Sequence, residues 1–260
     1  MSFENFNDDF EISINNKLFK KSKREKQFDG FKKNKVVNEV LDKPTVMELY
    51  NLIKSNIISY INGVVKAGKE SVIFWAKSKD DLDLALKVYL VSTSNFKKRA
   101  QYIAGDPRFT RIKKGTKNLV YLWAQKEFRN LTKCYEKGLP VVKPIHVSKN
   151  ILVLEFMGKN GVPEKTLLES HVTYKDYESA ISIIRSLYKE ANLIHGDFSE
   201  YNIFKTKEGL VIFDLGSAVD LTHPNSNFFL ERDINNITKF FVKRGLTVEN
   251  PLDVFQKVTK

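Results

Sequence analysis

The spacing of apolar residues changes period along the chain, and each change marks an element. From Thr45 onward, Leu49, Leu52 and Ile53 fall on one helical face, with Thr45 and Glu48 at capping-box spacing. Three apolar, β-branched stretches follow, from Ile58 to Val65, Ser71 to Ala76 and Leu84 to Leu90. Gly63, Gly68 and Asp80-Asp81 punctuate them, so they are predicted strands. Asn95 to Lys117 is polar with little periodicity and is predicted to be a long loop, which inside a compact domain is usually functional. A helix is predicted from about Asn118 to Lys137, with Leu119, Trp123, Phe128 and Leu131 inward and Gly138 and Pro140 ending it. After a buried strand from Ile151 to Phe156, a second long helix runs from Tyr174 to Ala191, with Tyr177, Ile181, Ile184 and Tyr188 on one face. A hairpin and two further helices, near 227–244 and 251–258, complete the pattern.

A β-rich first half carrying one helix and a helix-rich second half predict an α+β, two-lobed architecture. The expected divisions are a basic, partly disordered arm (1–44), a β-rich lobe with a phosphate loop and the flexible loop 95–117 (45–154), a hinge (155–158) and a helical lobe (159–260).

Composition narrows the function. The chain has 260 residues, 42% hydrophobic and 28% charged, an ordinary globular balance. No apolar run is long enough to span a bilayer and the acidic start is no signal peptide, so no membrane partner is expected. A single cysteine, Cys134, excludes an internal disulfide and fits a reducing, cytoplasmic setting, and the four scattered histidines exclude a zinc finger. The net charge of +12 is concentrated in the arm 17–35 and the loop 95–117, which points to a polyanionic partner such as nucleic acid.

The chemistry sits in the run His195-Gly196-Asp197-Phe198-Ser199-Glu200-Tyr201-Asn202 and in Asp214. Asp197 and Asn202 have the spacing of a kinase catalytic loop, in which the carboxylate takes the proton of the attacking hydroxyl and the amide holds magnesium. Ile203-Phe204 and Leu210 to Phe213 read as two strands around a turn at Lys207-Glu208-Gly209. A hairpin centred there returns Asp214 beside Asn202, giving two hard oxygen ligands for magnesium. Lys87 interrupts an apolar strand, and Glu127 lies on the core side of a helix, where a carboxylate needs a cation; the two suit a phosphate-gripping lysine and its partner. Gly63 to Glu70 nearly spells a Walker loop, but Glu70 replaces the required hydroxyl and a strand follows where a helix should. Lys66, Ala67, Gly68, Lys69 and Glu70 are therefore read as a tight turn over phosphates. Backbone groups of Glu155 and Met157, in Leu154-Glu155-Phe156-Met157, are placed against an adenine edge.

From about residue 35 onward the sequence resembles the RIO family of atypical serine protein kinases, close to the subfamily of its founding member. The resemblance is carried by Gly63 to Ser71, Gly105-Asp106-Pro107-Arg108-Phe109, Trp123 to Leu131, His195 to Ile203 and Arg232 to Ile237. It implies a bilobal protein-kinase-like fold without conventional activation segment or peptide-binding helices, and none of that apparatus is expected after Asp214. It also implies ATP and Mg²⁺ as cofactors, autophosphorylation on serine, ATPase action through a phosphorylated Asp214, and a role in late maturation of the small ribosomal subunit and its rRNA. The basic arm and loop suit such partners. Two departures stand out: Lys66 and Ala67 replace the Ser-Thr of the family's phosphate loop, and Gly216 and Ser217 make the metal loop more like that of an ordinary kinase.

Three rivals remain at this level. Small-molecule kinases of the aminoglycoside or choline type share His-Gly-Asp, but need a substrate lobe and often acidic pockets. A small kinase of tRNA modification lacks the Gly-Asp-Pro-Arg-Phe run. A pseudokinase scaffold on pre-ribosomal RNA would not need Lys87, Glu127, Asp197, Asn202 and Asp214 all intact.

Overall fold

The computed structural model describes residues 41–91, 99–109 and 115–260; the basic arm 17–35 and part of the loop 95–117 lie outside them. The chain forms two compact units. One comprises the described parts of Met1–Thr93 with Ile145–Pro163, and the other the described parts of Ser94–Pro144 with Glu164–Lys260.

The first unit is built on a five-stranded sheet ordered β1-β2-β3-β5-β4. Its strands are β1 (Tyr60–Ala67), β2 (Ser71–Lys77), β3 (Asp83–Tyr89), β4 (Pro144–Ser148) and β5 (Ile151–Glu155). β1 pairs with β2, β2 with β3 and β3 with β5 in antiparallel register, with bulges in β1 around Gly63 and Val65. Alternation along β2 turns Val72, Phe74 and Ala76 into the core. They pack with Leu86 and Val88 of β3, Ile151 and Val153 of β5, and Leu49 and Leu52 of helix α1 (Lys43–Lys54). Each large side chain removed from water here contributes about 1.5–3 kcal/mol.

The start of α1 differs from the expected capping box. Asp42 is the N-cap, accepting the Thr45 N–H at 3.0 Å, and Pro44 fits the first turn, where no donor is needed. Glu48 instead accepts from Ser148 Oγ and Lys149 Nζ and ties α1 to the β4–β5 turn. Burial pushes its carboxyl up, but Lys149 and Ser148 hold it below its ordinary value. A carboxylate that can reach a cation gains more there than at a helix end already capped.

A short hairpin, β6 (Gly158–Lys159) and β7 (Val162–Pro163), follows β5. It turns through Gly161 at φ +78°, where an added Cβ would lie 2.5 Å from Cε3 of Trp75. Trp75 is anchored, donating to Asp83 at 2.5 Å. Gly161→Ala is expected to lower the unfolding free energy by about 2–4 kcal/mol, through left-handed strain and overpacking. A urea midpoint equal to that of the wild type would show that the indole gives way.

The second unit holds the long helix α2 (Thr116–Glu136), then α3 (Tyr174–Lys189), α4 (Ser226–Lys243) and α5 (Pro251–Thr259). A capping box of Thr173 and Asp176 opens α3. Tyr177 of α3 meets Phe241 of α4 edge-on at 5.5 Å, and α5 packs on both helices. The sequence reading assigned α2 to the β-rich lobe; by Cα proximity it belongs to the second unit. The reason lies in its polar residues: Lys126 and Asn130 are buried and bond to backbone near residue 216. Within the expected loop 95–117, residues 100–102 and 107–109 form 3₁₀ turns. No helix among the described residues is long and apolar enough to cross a membrane.

Candidate active site

Two short ladders bracket the chemistry. β9 (Ile203–Lys205) pairs antiparallel with β10 (Leu210–Ile212), Ile203 facing Ile212, and the Phe213 N–H donates to the Asn202 carbonyl at 3.2 Å. β8 (Leu193–Ile194) pairs antiparallel with β11 (Val219–Asp220), Ile194 facing Val219. The loop 195–202 runs from β8 to β9 and the loop 213–218 from β10 to β11. Each is therefore clamped at both ends beside the other, and Asp214 follows directly on the residue bonded to Asn202. The hairpin expected from sequence forms this junction, and the second ladder completes it.

Asn202 Nδ2 donates to the Asp197 carbonyl at 2.9 Å and to Asp197 Oδ2 at 3.3 Å. Its amide nitrogen is thus committed to Asp197, which leaves the amide oxygen as the group of Asn202 that could meet a cation. The Gly216 N–H donates to Asp214 Oδ1 at 3.1 Å and orients that carboxylate. Partial burial, and then the negative charge of Asp214, push the Asp197 carboxyl above its ordinary value. Among the described residues no group of three His, Cys, Asp or Glu side chains is gathered for a metal. The candidate ligands here are the amide of Asn202 and the carboxylate of Asp214. Such hard oxygens suit magnesium completed by water and phosphate, and not zinc.

His195 is buried, its ring meeting Phe198 edge-on at 5.3 Å, and its Nδ1 accepts the Asp197 N–H at 3.3 Å. Burial pushes it down to about 4, so it stays neutral and serves as an acceptor for the loop.

Several residues that hold these loops carried no sequence reading of their own. Asp233 of α4, buried, accepts the Gly196 N–H at 2.7 Å and the Phe198 N–H at 2.9 Å, while its neighbour Arg232 donates to the Gly196 carbonyl. Arg232 also reaches the Tyr102 hydroxyl at 3.1 Å. Arg99 lies over the Trp123 ring at 4.5 Å, within electrostatic reach of Asp214 and Asp197. Trp123 itself lies against Gly216, where an added Cβ would fall 2.7 Å from its Nε1. The motif Arg232-Asp233 was the one available signal for Asp233; periodicity alone cannot separate a buried aspartate from a solvated one.

Lys126 is fully buried, and its Nζ donates to the Gly216 carbonyl at 3.0 Å and to that of Ala218. Burial pushes it down to about 7. Asn130 Nδ2 donates to the carbonyls of Leu215 at 2.8 Å and Ala218 at 3.1 Å, and its Oδ1 accepts from Arg108 at 2.8 Å. Arg108 is forked onto Asp106 at 2.9 and 2.6 Å. Burial raises the Asp106 carboxyl, but Arg108 more than offsets this and holds it low. The Cys134 thiol, on the same helix, is buried and pushed up to about 12, hence inert.

The other predicted residues divide between the two units. In the first unit, the β1–β2 turn exposes Lys66, Ala67, Gly68 and Lys69, and is closed by the Gly68 N–H donating to the Ser71 carbonyl at 2.9 Å. Glu70 is half-buried and accepts the Leu90 N–H through its backbone at 2.9 Å. Lys87 is buried on β3, between Ile73 and Leu152, with Nζ 5.2 Å from the Tyr89 ring centre. Glu155 ends β5 and Met157 follows it, both half-buried. In the second unit, Glu127 is fully buried on α2.

Comparison with known proteins follows the same lines. A sequence profile described as the RIO domain matches residues 72–253. The RIO-type serine/threonine-protein kinase Rio1 of Haloferax volcanii is 35% identical over 233 residues, covering 86% of this chain and 80% of its own. The serine/threonine-protein kinase RIO1 of Homo sapiens is 33% identical over 258 residues, covering 95% of this chain but 45% of its own, so this chain spans under half of that relative. Among solved structures, the Rio2 kinase–ADP/Mg²⁺–phosphoaspartate complex of Chaetomium thermophilum superposes with a TM-score of 0.63 at 24% identity, covering 83% of this chain and 66% of that one. That likeness extends the argument to the fold, which is bilobal and kinase-like. With a domain profile over most of its length and the Haloferax relative matched over most of both chains, the chain belongs to the RIO family of serine/threonine protein kinases, on its Rio1 branch.

Proposed function

We propose that this chain transfers the γ-phosphoryl group of MgATP to a serine hydroxyl, its own included, or to water, and acts in late maturation of the small ribosomal subunit and its rRNA. The observation that carries the reading is the hairpin register that sets Asp214 beside Asn202 while Asn202 is bonded to Asp197.

In this reading Asp197 takes the proton of the attacking hydroxyl. The new oxygen–phosphorus bond forms as the bond from the γ-phosphorus to its bridging oxygen breaks, and ADP leaves with that electron pair. A raised proton affinity at Asp197 favours the transfer, because a carboxylate of ordinary acidity is a weaker base. Magnesium, when held by Asn202 and Asp214, would neutralise charge on the phosphate oxygens. Lys87 grips the α- and β-phosphates with Glu127 as its partner, Lys66 to Glu70 cover the phosphates with backbone N–H groups, and Glu155 and Met157 take the adenine edge. Water as acceptor gives the ATPase. In its two-step form, an Asp214 oxygen first bonds the phosphorus and water then releases phosphate; a phosphoaspartate is part of the Chaetomium Rio2 complex. The ribosomal partner rests on the charge of +12 and on the lysines of 17–35 and 95–117.

The test is turnover of γ-labelled ATP by the purified protein, following free phosphate and labelled protein with and without small ribosomal subunits. Label is expected in one or both products, and faster with subunits. Absence of label from both products would remove the phosphoryl-transfer reading, and indifference to subunits would remove the ribosomal one.

A further inference from the structure

Magnesium sites are set by the groups around the ligands as well as by the ligands. Just after Asp214 the backbone turns so that the carbonyls of Leu215, Gly216 and Ala218 face inward, toward side chains and not toward solvent. A buried carbonyl without a donor costs about 1–3 kcal/mol. Here one helix supplies the donors: Asn130 reaches Leu215 and Ala218, and Lys126, one turn earlier, reaches Gly216 and Ala218. Asn130 could face either way, since its amide oxygen and nitrogen have the same shape. Arg108 decides, because its guanidinium donates to Oδ1 and leaves Nδ2 for the carbonyls, and Asp106 holds Arg108 by a two-pronged ion pair.

We propose that Asn130, seated by Arg108, and Lys126 are positioning residues for magnesium: by holding three carbonyls of the loop 215–218 they fix the carboxylate of Asp214 where the ion is met. This rests on the reading of Asp214 as a magnesium ligand. The two donors differ in charge. Removing Asn130 loosens the loop and leaves the local field unchanged. Removing Lys126 loosens it too, but also removes a cation that repels magnesium, so the two effects oppose each other. Asn130 is therefore the cleaner probe.

The protein carries its own reporter. It has two tryptophans, and in a Trp75→Phe background, excited beyond the absorption of tyrosine, only Trp123, packed on Gly216, emits. Magnesium is titrated with ADP for emission and with ATP for turnover, and unfolding is followed separately. Asn130→Ala is expected to raise the half-saturating magnesium concentration about tenfold in both titrations, with a smaller loss of kcat. Arg108→Lys should shift it the same way, and Arg108→Lys/Asn130→Ala should match Asn130→Ala alone, because Arg108 acts through Asn130. Lys126→Met should shift it less than Asn130→Ala.

Half-saturation within twofold of the wild type in Asn130→Ala, with only the unfolding midpoint lowered, would reduce the network to a structural role. If Asn130→Ala does not fold, Arg108→Lys decides, since its half-exposed side chain sits at the edge of the network, and an unchanged magnesium response there overturns the proposal. Wild-type turnover combined with unmoved variants would sink this inference alone. No wild-type turnover, together with a Trp123 response that shifts in Asn130→Ala, would sink the catalytic reading and leave this one standing.

Discussion

Asp197→Ala protein should bind MgATP within about threefold of the wild type and transfer the phosphoryl group roughly 10²- to 10⁴-fold more slowly. Phosphoryl transfer asks little covalent help of the protein, so most of the binding machinery survives this change, and what is lost is the base beside the incoming hydroxyl. Asp197→Asn separates base from scaffold: the amide can still face Asn202 but cannot take a proton, and it is expected to be nearly as slow. The pH dependence has a definite sign. The ionised form is the active one, so kcat/KM falls as pH drops. Burial and Asp214 raise the Asp197 proton affinity, so this acid limb should lie above the ordinary aspartate value near 3.9. Magnesium on Asp214 removes the like charge, so the limb should move to lower pH as magnesium is raised. Undiminished turnover in purified Asp197→Ala would end the catalytic assignment.

The second large effect is expected at Asp233. Removing its carboxylate in Asp233→Ala leaves the buried N–H groups of Gly196 and Phe198 without acceptors, a cost of about 1–3 kcal/mol each. The loop carrying Asp197 then relaxes, so activity should fall further than stability alone explains. Burial pushes the Asp233 carboxyl up to about 7, against the pull of the two N–H donors and Arg232. A folded-state value above the unfolded one means the native state holds the extra proton. Its contribution is present below about pH 4 and is lost as pH rises toward 7, roughly 4 kcal/mol in all. His195 runs the other way. Pushed down to about 4, it contributes fully above pH 6.5, and roughly 3 kcal/mol is lost as pH falls toward 4. The two slopes nearly cancel in the wild type. In Asp233→Asn the falling slope is gone, so its deficit relative to wild type should narrow from pH 4 to pH 7 in urea titrations. A deficit that widens would show that the backbone donors, and not burial, set this carboxyl's proton affinity.

Much of the site was legible because it is local. Asp197 and Asn202 are five apart in sequence, and Asp214 is returned by a turn whose midpoint follows from counting. The strands of the first unit were legible for the same reason: alternation along Ser71 to Lys77 is visible without knowing the partner strand. The start of α1 was misread because Thr45 and Glu48 satisfy a capping pattern that Asp42 satisfies better, once Ser148 and Lys149 offer Glu48 another use. The inward polar face of α2 was missed for a related reason. Lys126 and Asn130 look like solvent positions until the carbonyls they serve, some 85 to 92 residues away, are placed beside them.

By itself the amino-acid sequence determined the family, the two-part α+β architecture and the candidate residues proposed for phosphate and metal. Those depend on side-chain periodicity, short spacings and motifs, all of which act within a few turns of chain. Only the tertiary structure decided which buried groups hold those residues still: Asp233 on the amides of 196 and 198, and Lys126, Asn130 and Arg108 on the carbonyls after Asp214. A buried backbone group must find a partner, but nothing near it in sequence says which side chain that will be.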